Sequence, residues 1–385
     1  MSRTSRWDYR NPVKVVFGSG RLDELGQYAH GRSLVVTSAG MANRGVAARV
    51  AKLLERDGSL LYDRVQSNPT LAQVDEAIAT VRNENIDTVV AIGGGSSLDV
   101  GKVLSLALVA PNFALGDLVT GDHPWRDTEP LPLLAVPTTA GTGSEVTPTA
   151  TVWDGDARKK LSATTPRLFP STALIDPELA LSLPWEATLG PGLDAYSQCF
   201  EAICNRNATP VATAIAQRGL RLVPGALRRL RTDPTSIHAR TEMAEAALLS
   251  GLAISQTRTA LAHSMSYPIT AHLGLAHGLA CALALPGVLA FNLETDDGRL
   301  SDVATQAGLE GSDMLVPTLL DLYAELGVAD AIRPHVRDID ALQPFVPEML
   351  TAGRAENNIR PADYADVTRI LATTERWFPA GPDAS

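Results

Sequence analysis

The chain has 385 residues, 45% of them hydrophobic and 20% charged, with a formal net charge of -10. That length accommodates two domains, each with a sizeable core, and the composition is ordinary for a soluble globular enzyme. The acidic balance argues against general binding to nucleic acid or to anionic membranes, whose like charge it repels.

Met1–Tyr9 lacks the apolar core of a secretory signal, and no run of about 18 consecutive apolar residues predicts a membrane span. Short β-branched runs predict strands at Val13–Phe17, Leu34–Thr37, Thr88–Ile92, Leu133–Val136 and Thr172–Ile175. Helical patterns fall between them at Ala47–Arg56 and Leu71–Asn83, an alternation that predicts a parallel α/β sheet. From Pro184 the texture changes to Ala/Leu-rich segments, Ala195–Asn205, Pro210–Leu230, Ile237–Gln256 and Met314–Leu326, which read as helices. The expected division is an α/β dinucleotide-binding domain over residues 1–182 and an all-helical domain over 183–385. Gly121–Pro132 reads as a polar, proline-rich loop and Pro379–Ser385 as a frayed tail. The basic run Arg228-Arg229-Leu230-Arg231 reads as a solvated helix face. Three cysteines, Cys199, Cys204 and Cys281, form no CxxC pair and are too few for a disulfide framework, so a reducing, cytoplasmic setting is expected.

The strand at Thr88–Ile92 runs into Gly93-Gly94-Gly95-Ser96, with Asp99 and Lys102 following. Consecutive glycines between a strand and a helix expose backbone N–H groups at the helix N-terminus, which suits a pyrophosphate. This is not a Walker loop. Ser96 stands five residues before Gly101, where that motif needs glycine, and Val103 follows Lys102 where Ser or Thr would bind magnesium. Gly18-Ser19-Gly20 lacks the third glycine of the dinucleotide fingerprint and reads as a plain turn. A further loop, Pro137 to Thr147, also follows a strand, and its hydroxyls and glycines fit ribose and phosphate contacts.

The window Arg258 to Gly278 holds three of the seven histidines, His263, His272 and His277, among small and apolar residues. Neutral imidazoles in such a setting are natural ligands for zinc or iron, because they bind without burying extra charge. Asp194 and Gln198 lie four apart and share one face if their segment is helical, so Asp194 is the candidate carboxylate. The same residues also read as hydrogen-bonded core histidines and a capping or solvated acid, and spacing alone leaves both readings open.

Together these motifs resemble the iron-dependent (group III) alcohol dehydrogenases. The matching stretches are Gly93-Gly94-Gly95-Ser96 with Asp99 and Lys102, the Pro137 to Glu145 loop, Asp176-Pro177-Glu178, Gly192-Leu193-Asp194-Ala195, and His263 with His277-Gly278. The resemblance implies a Rossmann-like N-terminal domain, an all-α C-terminal domain of the dehydroquinate synthase-like architecture, and metal-dependent hydride transfer with NADH or NADPH. It implies that Gly93, Gly94, Gly95, Ser96 and Asp99 hold the cofactor, with Asn68, Thr138, Thr139, Thr142 and Lys160 lining the rest of its site. Many NAD-preferring members end the relevant strand in Thr-Asp, whereas this chain has Thr37-Ser38, which permits NADPH without excluding NADH. One divalent metal, iron or zinc, is implied at Asp194, His263 and His277. Gln198 stands where the family usually has another histidine, and a glutamine carbonyl is a weaker ligand. Tyr267 replaces the frequent histidine four after His263, so Tyr267 or His272 is expected to relay the proton.

Within the family, Thr257-Arg258-Thr259 leading to His263 and Tyr267-Pro268 is most similar to the phosphonoacetaldehyde reductase branch, with Cys204 to Ala208 and Asn11-Pro12-Val13 adding to the likeness. Arg258 lies five residues before His263, and a guanidinium there suits bidentate binding of a phosphonate. The expected reaction is reduction of a short anionic aldehyde, phosphonoacetaldehyde to 2-hydroxyethylphosphonate, in phosphonate metabolism or antibiotic biosynthesis. The alternatives are a general short-chain alcohol dehydrogenase or oxo-acid reductase of the same family, and a nucleotide-binding homologue without catalysis. A homodimer is the family expectation.

Overall fold

The β-branched runs of the first half pair in parallel, burying their side chains on both faces, as parallel sheets do. In this computed structural model residues 6–54, 58–121 and 127–379 are described. They fall into two compact units, Asn11–Leu181 and, with the segment up to Arg10, Ser182 onward.

The strands of the first unit are β1 (Lys14–Phe17), β2 (Ser33–Val36), β3 (Ser59–Tyr62), β4 (Thr88–Gly93), β5 (Leu133–Pro137), β6 (Thr149–Asp154), β7 (Lys159–Thr164) and β8 (Thr172–Ile175). Among the described residues, six of them form one parallel sheet in the order β1-β8-β5-β4-β2-β3, while β6 and β7 form an antiparallel pair. The helices of this unit are α1 (Ala39–Asn43), α2 (Val46–Leu53), α3 (Leu71–Val81), α4 (Gly95–Ala107) and α5 (Leu115–Thr120). Alternation sends successive strand residues to opposite faces. Leu34, Val36, Val89 and Ala91 join one core cluster with Val74, Val103 and Leu104, while Val35, Val90 and Ile92 join another with Leu22, Leu25 and Val50. Each such aliphatic side chain stabilises the sheet by about 1.5–3 kcal/mol when fully buried.

The expected strands form within a residue or so of their predicted limits. The strand β3 and the β6–β7 pair were not expected. Strand β3 is an edge strand that pairs with β2 alone, and its Ser-Leu-Leu-Tyr sequence has no β-branched run. In β6–β7, lysine, serine and threonine alternate with a few apolar residues, a pattern that also reads as loop. Of the segments read from the sequence, Met1 to Ser5, Glu55 and Arg56, Asp122 to Arg126 and Ala380 to Ser385 lie outside the described residues.

The second unit contains α6 (Trp185–Ile203), α7 (Pro210–Thr232), α8 (Ile237–Thr257), α9 (Leu261–Leu273) and α10 (His277–Leu293). It continues with α11 (Arg299–Gln306), α12 (Leu315–Leu326), α13 (Val328–Ile332) and α14 (Tyr364–Glu375). Helix α6 begins well before the predicted Ala195, with Pro184 as its N-cap residue. Gly190, Pro191 and Gly192 hide that first stretch from a propensity reading, yet Pro191 sits inside the helix. Helix α6 packs against α7, α8, α9 and α10, which makes it the centre of the unit. No helix among the described residues is long and apolar enough to cross a membrane.

Candidate active site

In the first unit, β2 and β4 are neighbours in the sheet, but the chain goes from β2 to β3 on one side and from β4 to β5 on the other. That reversal is a topological switch point, and the carboxyl ends of the two strands leave a crevice there for a ligand. Ser38 follows β2 and caps α1, its hydroxyl accepting the Met41 N–H. Gly93 ends β4 with a φ of 148°, and a Cβ there would come within 2.5 Å of the Ser97 hydroxyl, so the turn into α4 requires glycine. The glycine turn adjoins the loop after β5: Gly94 lies beside Thr139, Gly95 beside Thr142, and the Thr138 N–H donates to the Gly93 carbonyl at 2.9 Å. Asn68, at a φ of 54°, donates its backbone N–H to the Ser96 hydroxyl. Lys160 on β7 pairs with Trp153 on β6, whose N–H reaches the Pro69 carbonyl.

Asp99 and Lys102 lie beneath this surface. The Asp99 carboxylate accepts the Ser144 hydroxyl at 2.6 Å and the Thr151 N–H at 2.9 Å, while the fully buried Lys102 ammonium donates to the Ser144 hydroxyl and the Thr149 carbonyl. These two residues therefore bind α4 to the segment after β5. Burial pulls the Lys102 pKa down to about 8 against the opposing pull of Asp99 and Glu145, and burial pushes the neighbouring Glu145 up to about 7. Asp176 acts similarly at the other end of the sheet order, accepting the Gly20 and Leu22 N–H groups, so the Gly18 turn is structural.

In the second unit, α6 presents Asp194, Gln198 and Glu201, spaced so that they share one face. His263 stands in the first turn of α9 and His277 opens α10. Asp194 Oδ1 lies 3.1 Å from His263 Nε2, and the two imidazole rings meet edge to face with centroids 5.3 Å apart. The donor atoms of Asp194, His263, His277 and Cys281 all lie within 4.8 Å of one another. Gly278 permits this closeness, because a side chain there would run into the Gly190 carbonyl of α6 and crowd Asp194.

Glu201 supports the cluster from behind. Its carboxylate accepts the backbone N–H groups of Ala260 and His263, two orphan donors at the start of α9. The same carboxylate lies 2.6 Å from His263 Nδ1, close enough for an ion pair though poorly aligned as a hydrogen bond. Burial opposes protonation of His263, but Cys281, Glu201 and Asp194 together hold its pKa well above the ordinary histidine value. A buried carboxylate, two imidazoles and a sulfur, with a further carboxylate behind one imidazole, fit a divalent transition metal.

The remaining expected residues divide. Tyr267 stacks on His277 at 5.9 Å between centroids, beside the cluster. His272 is drawn elsewhere, its Nε2 3.0 Å from Glu348 and its ring stacked on Phe345. Gln198 is buried, and its side-chain oxygen accepts the Ser250 hydroxyl at 2.8 Å. Arg258 is exposed at the end of α8 with φ 64° and ψ 173°, and its carbonyl is held by the Asn205 side-chain amide and the Thr257 hydroxyl. Glu201 and Cys281 were not singled out from the sequence. Their signals were helical spacing alone, seven residues after Asp194 and four after His277.

A glycine turn at the switch point of a parallel sheet and a buried carboxylate–histidine cluster in a helical unit fit a class, the metal-dependent enzymes that bind a nucleotide. Residues 12–177 match the family model for iron-containing alcohol dehydrogenase, and residues 188–374 match that for the C-terminal part of the Fe-containing alcohol dehydrogenase family. The chain belongs to the iron-containing alcohol dehydrogenases, enzymes that use NAD(H) and one metal ion. It is 32% identical to an NAD-dependent methanol dehydrogenase of Bacillus methanolicus, covering 94% of this chain and 97% of that one. It is 28% identical to lactaldehyde reductase of Escherichia coli (strain K12), covering 93% and 96%. Among solved structures, sulfoacetaldehyde reductase from Bifidobacterium kashiwanohense in complex with NAD+ superposes with a TM-score of 0.84 at 27% identity, covering 98% of this chain and 100% of that one.

Proposed function

We propose that this enzyme reduces a short anionic aldehyde, with phosphonoacetaldehyde going to 2-hydroxyethylphosphonate as the preferred case. The observation that carries this reading is Arg258, whose backbone adopts a conformation close to glycine-only territory five residues before His263. Such strain amounts to about 1–3 kcal/mol, and it gathers at ligand clamps and active sites. Asn205 and Thr257 hold the strained carbonyl, which fixes where the guanidinium begins. A guanidinium fork binds a phosphonate through two charge-assisted hydrogen bonds. The likeness to a protein named sulfoacetaldehyde reductase supports an anionic two-carbon aldehyde.

In this reading the N–H groups of the glycine turn bind the cofactor pyrophosphate, and Ser38 in place of a carboxylate admits NADPH as well as NADH. Asp194, His263 and His277 hold the metal, which when bound supplies Lewis-acid polarisation of the aldehyde oxygen. Arg258 would grip the phosphonate and hold the anionic end of the substrate. Tyr267, whose ring stacks on His277, would supply the proton to the substrate oxygen, a role for which His272 is less suited because Glu348 engages it. A homodimer acting in the cytoplasm, within phosphonate metabolism, completes the proposal.

A second reading, a general short-chain alcohol dehydrogenase, is favoured by the likeness to a methanol dehydrogenase. Turnover of phosphonoacetaldehyde and of propanal, in wild type and Arg258→Ala, separates the two. The anionic reading expects Arg258→Ala to lower kcat/KM for phosphonoacetaldehyde by about 10- to 150-fold, equivalent to about 1.5–3 kcal/mol, with propanal unaffected. Equal wild-type turnover of both substrates would discard it.

A further inference from the structure

The resemblance that places a metal at Asp194, His263 and His277 expects another histidine at position 198, where this chain has Gln198. The Gln198 oxygen already accepts the Ser250 hydroxyl. Cys281, by contrast, is fully buried one turn after His277 on the same face of α10, and its sulfur lies 3.9 Å from both His277 ring nitrogens. It belongs to the group whose donor atoms fall within 4.8 Å of one another. Around a four-coordinate ion with bonds of about 2.0–2.3 Å, donor atoms stand roughly 3.3–3.7 Å apart, and an ion with four protein donors takes a substrate oxygen by expanding to five-coordinate. The separations of 3.1 Å for Asp194 to His263 and 3.9 Å for Cys281 to His277 bracket that range.

Within the donor set one carboxylate and one thiolate balance a divalent ion, and the Glu201 carboxylate behind His263 adds one further negative charge. A thiolate in place of an imidazole also shifts the donor set towards softer metals.

We propose that the Cys281 thiolate, rather than the Gln198 amide, is the fourth protein donor of this site, and that the Asp194, His263, His277 and Cys281 set selects zinc over ferrous iron. The inference rests on the reading of this cluster as a metal site. On binding, the thiol proton passes to solvent and a sulfur lone pair forms the bond to the ion.

The test uses the full-length protein, stripped of metal and reloaded with cobalt(II) alone, as wild type, Cys281→Ser and Gln198→Ala. Wild type and Gln198→Ala are expected to show both the visible cobalt bands and a near-ultraviolet thiolate-to-cobalt charge-transfer band, and Cys281→Ser to lose only the latter. Visible bands without the charge-transfer band in wild type would overturn the cysteine assignment and leave the metal site standing. No bound cobalt by elemental analysis would overturn the metal reading itself. X-ray absorption of zinc-loaded wild type needs no variant: one sulfur neighbour at about 2.3 Å is expected, and a shell of nitrogen and oxygen alone refutes the assignment. In anaerobic competition between equimolar zinc and ferrous iron, wild type should retain zinc with a preference that shrinks in Cys281→Ser. An unchanged ratio removes the selectivity.

Discussion

Glu201 meets His263 twice, through its backbone N–H and beside its Nδ1, and it also takes the Ala260 N–H. One buried carboxylate thus caps the start of α9 and lies against the His263 ring of the proposed metal site. Outer carboxylates of this kind raise the basicity of the histidine they face, and their loss typically lowers metal affinity by about 10- to 100-fold. Glu201→Gln keeps the shape and an acceptor oxygen but removes the charge. A competition titration with a chromophoric zinc chelator should show a loss of that size, and unchanged affinity would reduce Glu201 to a helix cap.

Elements are brought close by what their side chains omit or bury. Helix α10 approaches α6 because Gly278 presents no side chain to the Gly190 carbonyl, and the approach is what sets His277 beside Asp194. Helix α4 is joined to the β6–β7 pair by buried charge instead, through Lys102, Asp99 and the Thr149 and Thr151 backbone. Glu145, in the same connection, has a folded pKa raised from 4.5 to about 7 by burial. A raised carboxyl pKa means that the native state holds the proton more tightly than the unfolded chain. Its contribution to stability is full below pH 4.5 and is lost as pH rises to about 7. Glu145→Gln should therefore match wild type in thermal unfolding near the acid end of that window and become the more stable protein above it, by up to about 3 kcal/mol. Parallel pH profiles for the two proteins would contradict this.

At the scale of the whole molecule, the proposed function assigns one ligand to each unit. The glycine turn lies within Asn11–Leu181 and the candidate metal cluster within the unit from Ser182. A metal at about a hundredfold over its dissociation constant stabilises the unit that binds it by about 2.7 kcal/mol. Chelation should accordingly speed amide hydrogen exchange in α6, α9 and α10 by up to about 100-fold, with β4 and β5 retaining their protection. Equal acceleration in both units would show that the metal supports the chain as a whole.

The features legible from residue order alone are local or periodic. Burial on both faces demands the β-branched runs of β2, β4 and β5, the glycines of Gly93 to Gly95 announce a turn that only glycine tolerates, and α8 follows from an uninterrupted helical pattern, while α7 was legible in spite of Pro224. The likeness carried by Asp194, His263 and His277-Gly278 was equally legible, since it needed only residue order. The edge strand β3 was not legible, because β2 supplies the pairing that its own sequence does not announce. Helices α9 and α10 carry Pro268 and Pro286 and are formed in spite of local propensity. Packing in three dimensions sets Glu201 and Cys281 beside the histidines, engages Asp99 with Ser144 and Thr151, and turns His272 to Glu348. The physical reason is common to all three: a side chain's partner depends on how elements far apart in sequence come together, and spacing along one chain does not contain that meeting.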